Sequence, residues 1–123
     1  MNWDHLQNLA RRELDATLAE LPAPLRERAR QIPIALDRQP GAEFVADGIG
    51  PETLGLFTGP AFGDADHAAS PVPAQIFLFL ANLWNYVGGN ETAYRAEVRT
   101  TYLHELGHYL GLDEDELTDR GLG

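Results

Sequence analysis

The sequence predicts an α+β fold of two layers. Three observations carry that expectation. A long amphipathic segment opens the chain, short apolar runs of strand length occupy its middle, and a second long amphipathic segment lies near its end. The element order is therefore helix, strand, strand, strand, helix. The 123 residues fit one domain spanning 1–123, and 44% hydrophobic residues supply its core.

From Asn2 to about Leu21, the residues Leu6, Leu9, Leu14, Leu18 and Leu21 recur at helical spacing. Asn2 is a suitable cap, and Pro22 and Pro24 mark the end. Leu25 to about Gln31 reads as one or two helical turns. The run Ile32–Leu36 (IPIAL) has strand length and is terminated by Asp37, Gln39, Pro40 and Gly41. Residues 41–53 read as loop. Thr53–Phe57 (TLGLF) is a second strand, placed at an edge because Gly55 weakens a central one. Gly59–Pro73 is the most loop-like stretch. Gln75–Trp84 begins as a buried strand, although periodicity does not separate it from a helix. Gly88-Gly89-Asn90 breaks the chain. Asn90 or Thr92 then caps a helix from about Glu91 to Leu110, with Tyr94, Val98, Leu103, Leu106 and Leu110 on its inner side and Gly111 at its C-terminus.

A net charge of −10 argues against nucleic-acid partners and against anionic membrane, and is compatible with a metal site or a basic partner. With no cysteine there are no disulfides and no thiolate ligands, so any zinc site must use His, Asp or Glu. The charged, amphipathic N-terminus lacks the apolar stretch of a signal peptide, and no apolar run has the length of a membrane span. These features predict a soluble, cytoplasmic protein.

The chemistry-bearing segment is HELGHYLGLDE. His104 and His108 are four residues apart on the expected helix, which sets both rings on one face, one turn apart, where they can share a tetrahedral metal ion. Glu105 is rotated by about 100° around the helix. From there its carboxylate reaches a metal-activated water without ligating the metal, as a general base for peptide-bond hydrolysis. Two His with carboxylates suit a single Zn²⁺. Gly111 can turn the chain with positive φ, bringing Glu114 towards the metal as a third ligand. Asp113 and Asp115 are near competitors, Glu116 and Asp119 weaker ones, and Asp64, Asp66 and His67 distant ones. His5 reads as a solvated surface residue. His67 reads as exposed, with substrate binding, an oxyanion contact or a second metal as its other options. Trp84, Tyr86, Tyr94, Tyr102 and Tyr109 read as core. Tyr102 and Tyr109 flank the motif, and each taken singly is the weaker candidate for stabilising an oxyanion.

HELGHYLG resembles the zincins. It does not extend to the gluzincin pattern, whose third Glu lies well downstream on a second helix. The metzincin pattern, HExxHxxGxxH with a Met-turn, is nearer, but Glu114 stands at the last His position and Met1 is the only methionine. The chain is most similar to the compact bacterial zincin-like family called possible zinc metallopeptidases, or minimal zincins. The likeness rests on an N-terminal helix, strands like IPIAL and TLGLFTG, and HExxHxxGxx followed by an acid. It departs in the segment ANLWNYVGGN and in having Glu rather than Asp as the third acid. The resemblance implies a zincin-like minimal domain, a small mixed sheet packed against helices with HExxH on the C-terminal active-site helix. It also implies His104, His108 and Glu114 as ligands of one zinc ion, Glu105 as base, and a peptide or unfolded polypeptide as substrate. In zincins an edge strand holds the substrate backbone, and TLGLF is the candidate. The alternative expectation is a non-catalytic zinc-binding or peptide-binding module.

Overall fold

The structure, a computed structural model, describes residues 2–61, 73–112 and 115–116. Among these residues eight elements have defined bounds, in order: α1 (Trp3–Glu20), α2 (Ala23–Ala29), β1 (Ile34–Asp37), α3 (Ala42–Ala46), β2 (Gly55–Thr58), β3 (Gln75–Phe79), α4 (Leu80–Tyr86) and α5 (Glu91–Leu110). The result is the expected α+β arrangement, a small mixed sheet against helices.

The two long helices begin where capping chemistry allows. Asn2 Oδ1 accepts the His5 N–H at 2.8 Å, and Asn90 Oδ1 accepts the Ala93 N–H at 2.9 Å. Helix α5 stops at Gly111, where φ is 73°. The Leu112 N–H then reaches back to the Gly107 carbonyl at 2.8 Å, closing the last turn. At this position the glycine is needed for its left-handed backbone.

The sheet order is β1-β3-β2, with β1 parallel and β2 antiparallel to β3. Among the described residues β2 is an edge strand, as Gly55 predicted. Ile76 and Leu78 of β3 are fully buried and join Leu6, Leu9 and Leu14 of α1 and Val98, Tyr102 and Leu106 of α5 in the core. The Tyr94 hydroxyl fastens α5 to α1 by donating to the Leu6 carbonyl at 2.9 Å. On the opposite side of the sheet, Phe44 of α3 meets Phe77 edge-on at 5.0 Å.

The structure corrects several sequence expectations. The first strand begins at Ile34 rather than Ile32, and the Ile76 N–H donates to the Pro33 carbonyl just before it. Ile32, 3% exposed, packs into the core ahead of the strand. The apolar run Gln75–Trp84 divides after Phe79. Leu80 and Leu83 lie three apart, as helical packing requires, and both are fully buried by α4. Residues 42–46, expected as loop, form α3 because Phe44 finds cover over Phe77 and Phe79. Tyr86, expected in the core, is 67% exposed. Leu110, expected on the inner side of α5, is only half-buried, whereas Tyr102 and Tyr109 are buried there. Among the described residues no helix is long and apolar enough to cross a membrane.

Candidate metal centre

Helix α5 lies across β2 and β3. That placement carries His104 and His108 to the outer part of the helix and turns Glu105 inward. His104 is half-buried, His108 is exposed and Glu105 is only 8% exposed. The one-turn offset brings the two imidazoles together: the Nε2 atoms are 3.1 Å apart and the ring centroids 4.6 Å apart. Two nitrogen donors aimed at one small region are the chemistry of a two-histidine metal clamp.

Glu105 is held against the edge strand. Its carboxylate accepts the backbone N–H of Phe57. Burial raises its pKa, and the neighbouring His108 and His104 and the Phe57 N–H pull in the other direction. A carboxylate whose proton affinity is raised by burial is a stronger base than one in water.

Gly55 permits this approach. A Cβ there would stand 2.6 Å from Thr101 Cγ2 and 3.3 Å from Glu105 Cγ. Sequence reasoning took Gly55 only as a sign of an edge strand; the close approach of α5 is a second reason for it. The Phe57 N–H was also missed, because a main-chain donor leaves no residue-type signal.

The Phe57 N–H points outward for a reason in the ladder. Phe79 N–H donates to the Leu54 carbonyl at 3.0 Å, and Leu56 pairs with Phe77. Antiparallel alternation therefore directs the N–H and C=O groups of Gly55 and Phe57 away from β3.

A cavity of about 270 Å³ opens beside the pair, lined by Leu54, Gly55, Glu97, Thr101, His104 and Glu105. Glu97, two turns before His104 on α5, had no motif to reveal it.

Of the candidates for a third ligand, Glu114, Asp113, Asp119, Asp64, Asp66 and His67 lie outside the described residues. Asp115 and Glu116 are described and exposed. Among the described residues no third His, Asp or Glu side chain converges with His104 and His108. His5 is exposed, as expected, but engages Glu91 at 3.0 Å. Tyr102 is fully buried, which removes it as an oxyanion donor. Burial pushes its phenol up to about 12, and its hydroxyl has no hydrogen-bond partner among the described residues. Tyr109, 4% exposed, packs edge-on against Phe57 at 5.9 Å.

The family model described as zincin-like metallopeptidase matches residues 29–122, a span that takes in all three strands and α5 and begins after most of α2. No curated protein matches the chain.

Proposed function

The chain belongs to the zincin-like metallopeptidase family, and from that premise we propose that it hydrolyses peptide bonds at a single zinc ion held by His104, His108 and Glu114. The observation that carries the reading is the convergence of the two Nε2 atoms to 3.1 Å directly beside a buried, strand-anchored Glu105. The donor set fits the metal: two neutral imidazoles and a carboxylate leave a tetrahedral ion one open position. Asp113 and Asp115 are the other carboxylates in reach of the third-ligand role by sequence.

Zinc bound there supplies a Lewis acid and makes water acidic enough to lose a proton near neutral pH. Glu105 accepts that proton, its carboxylate fixed by the Phe57 N–H. It then donates the proton to the departing amine as the C–N bond breaks. The substrate is an extended peptide or unfolded polypeptide. The outward Gly55 N–H and C=O and the Phe57 C=O offer its backbone the ladder partners of a further strand. The reading includes a cytoplasmic setting.

Zinc content by mass spectrometry, alongside cleavage of a peptide library, tests this. About one zinc per chain is expected. His104→Ala should lose it, while Glu105→Gln should keep the metal and lose cleavage. A zinc-free parent after incubation with zinc, or undiminished cleavage by Glu105→Gln, would refute it.

A further inference from the structure

A second cavity, of about 480 Å³, is lined by Glu52, Leu54, Asn82, Asn85 and Tyr86. It meets the cavity of His104 and Glu105 at Leu54, which lines both. A peptide lying along β2 therefore passes from one to the other.

The polar equipment of this second cavity is built. Asn82 is only 8% exposed. Its Nδ2 donates to the Pro51 carbonyl at 2.8 Å and to the Thr53 carbonyl at 2.9 Å. Those bonds use both amide hydrogens and fix which way the amide is turned. What remains for a ligand is Oδ1, an acceptor, and no described residue donates to it. That oxygen stays open to the solvent of the cavity, so a ligand that covers it must bring a donor in place of water. Glu52 beside it and Glu97 in the adjoining cavity have no cationic partner among the described residues. Tyr86 adds an aromatic ring that is 67% exposed although it lines a cavity.

Resting on the peptidase reading, we propose that this cavity is a subsite for a cationic side chain of the substrate, an arginine or lysine to one side of the bond cleaved. The chemistry matches at each point. The aliphatic stem lies on Leu54, the ring of Tyr86 faces the cation, and Asn82 Oδ1 and the Glu52 carboxylate accept its N–H groups. The net charge of −10 draws such a peptide to the surface. A neutral donor would satisfy Asn82 and leave Glu52 without a counterion.

Binding tests this without relying on turnover. The full chain carrying Glu105→Gln is titrated into fluorescein-labelled alanine heptapeptides with one arginine, and into the same peptides with citrulline, which keeps the shape and loses the charge. Arginine should bind roughly tenfold more tightly than citrulline. Glu52→Gln and Tyr86→Ser, both at exposed positions, should each cut that preference several-fold, while Glu43→Gln on α3 leaves it intact. Equal binding of the two peptides, no binding of either, or a preference that survives both Glu52→Gln and Tyr86→Ser would overturn the proposal. The two readings fail separately. A zinc-free chain that retains the preference refutes the peptidase and keeps the subsite. A zinc-loaded chain that cleaves peptides with Glu105 but ignores the charge refutes the subsite alone.

Discussion

Gly55 and Thr101 are packed so closely that a Cβ at position 55 would stand 2.6 Å from Thr101 Cγ2, closer than real Cβ contacts come. The glycine is there for space between β2 and α5. Gly55→Ala should therefore cost about 1–3 kcal/mol through overpacking. Thr101→Ser, which removes Cγ2, should return much of that cost in the double variant. Urea unfolding of the four chains measures the coupling, and strict additivity would show that the collision is not what makes alanine unwelcome.

Glu105 makes the metal-free protein less stable as pH rises. Its folded pKa lies above the ordinary value of 4.5 because of burial. Well below 4.5 both folded and unfolded chains hold the proton and there is no penalty. As pH climbs through 4.5 and on through the raised folded value, the unfolded chain releases its proton first, and stability falls. Glu105→Gln should accordingly melt higher than the parent at neutral pH in the presence of a chelator, with the gap closing in acid. Thermal melts across pH check the sign.

Two tyrosines on α5 should respond oppositely to loss of the hydroxyl. Tyr94 donates to the Leu6 carbonyl, so Tyr94→Phe leaves a carbonyl short and should cost about 1 kcal/mol. The Tyr102 hydroxyl is buried without a partner among the described residues, so Tyr102→Phe should be neutral or stabilising. Equal losses for both variants would contradict this assignment.

Asn82 ties α4 to the segment that leads into β2. Asn82→Ala strands the Pro51 and Thr53 carbonyls and should cost about 1–3 kcal/mol. Hydrogen exchange should rise first at Thr53, whose N–H donates to the Gly50 carbonyl at 3.1 Å. Unchanged protection there would mean that the loop is held by other contacts.

What was legible from sequence depended on how local the cause was. Both long helices could be read from leucine spacing and from Asn2 and Asn90, because caps and amphipathic periods act within a few residues. The pairing of His104 and His108 was legible for the same reason: they are neighbours on one helix face whatever else the chain does. The division of Gln75–Trp84 was not legible, since a fully apolar run has no period, and Leu80 turns helical only because the core lies beneath it. Nor was α3, whose single anchor, Phe44, finds its partners on β3, far away in sequence. Asn82 and Glu97 carry no local signature either. Their roles exist only once α4, β2 and α5 have come together.

The anchor of Glu105 is a main-chain amide. Every residue but proline would present the same N–H at position 57, so the orientation of the Glu105 carboxylate is written in the hydrogen-bond parity of the β2–β3 ladder and not in any side chain. A one-residue slip of β2 would aim that amide into the sheet and leave the carboxylate without its donor, while every residue of the HELGHYLGLDE segment stayed in place. On the proposed function, strand registration is thus a hidden determinant of competence: a chain with its whole motif intact would be inert once β2 slipped, and comparing motifs alone would never reveal why.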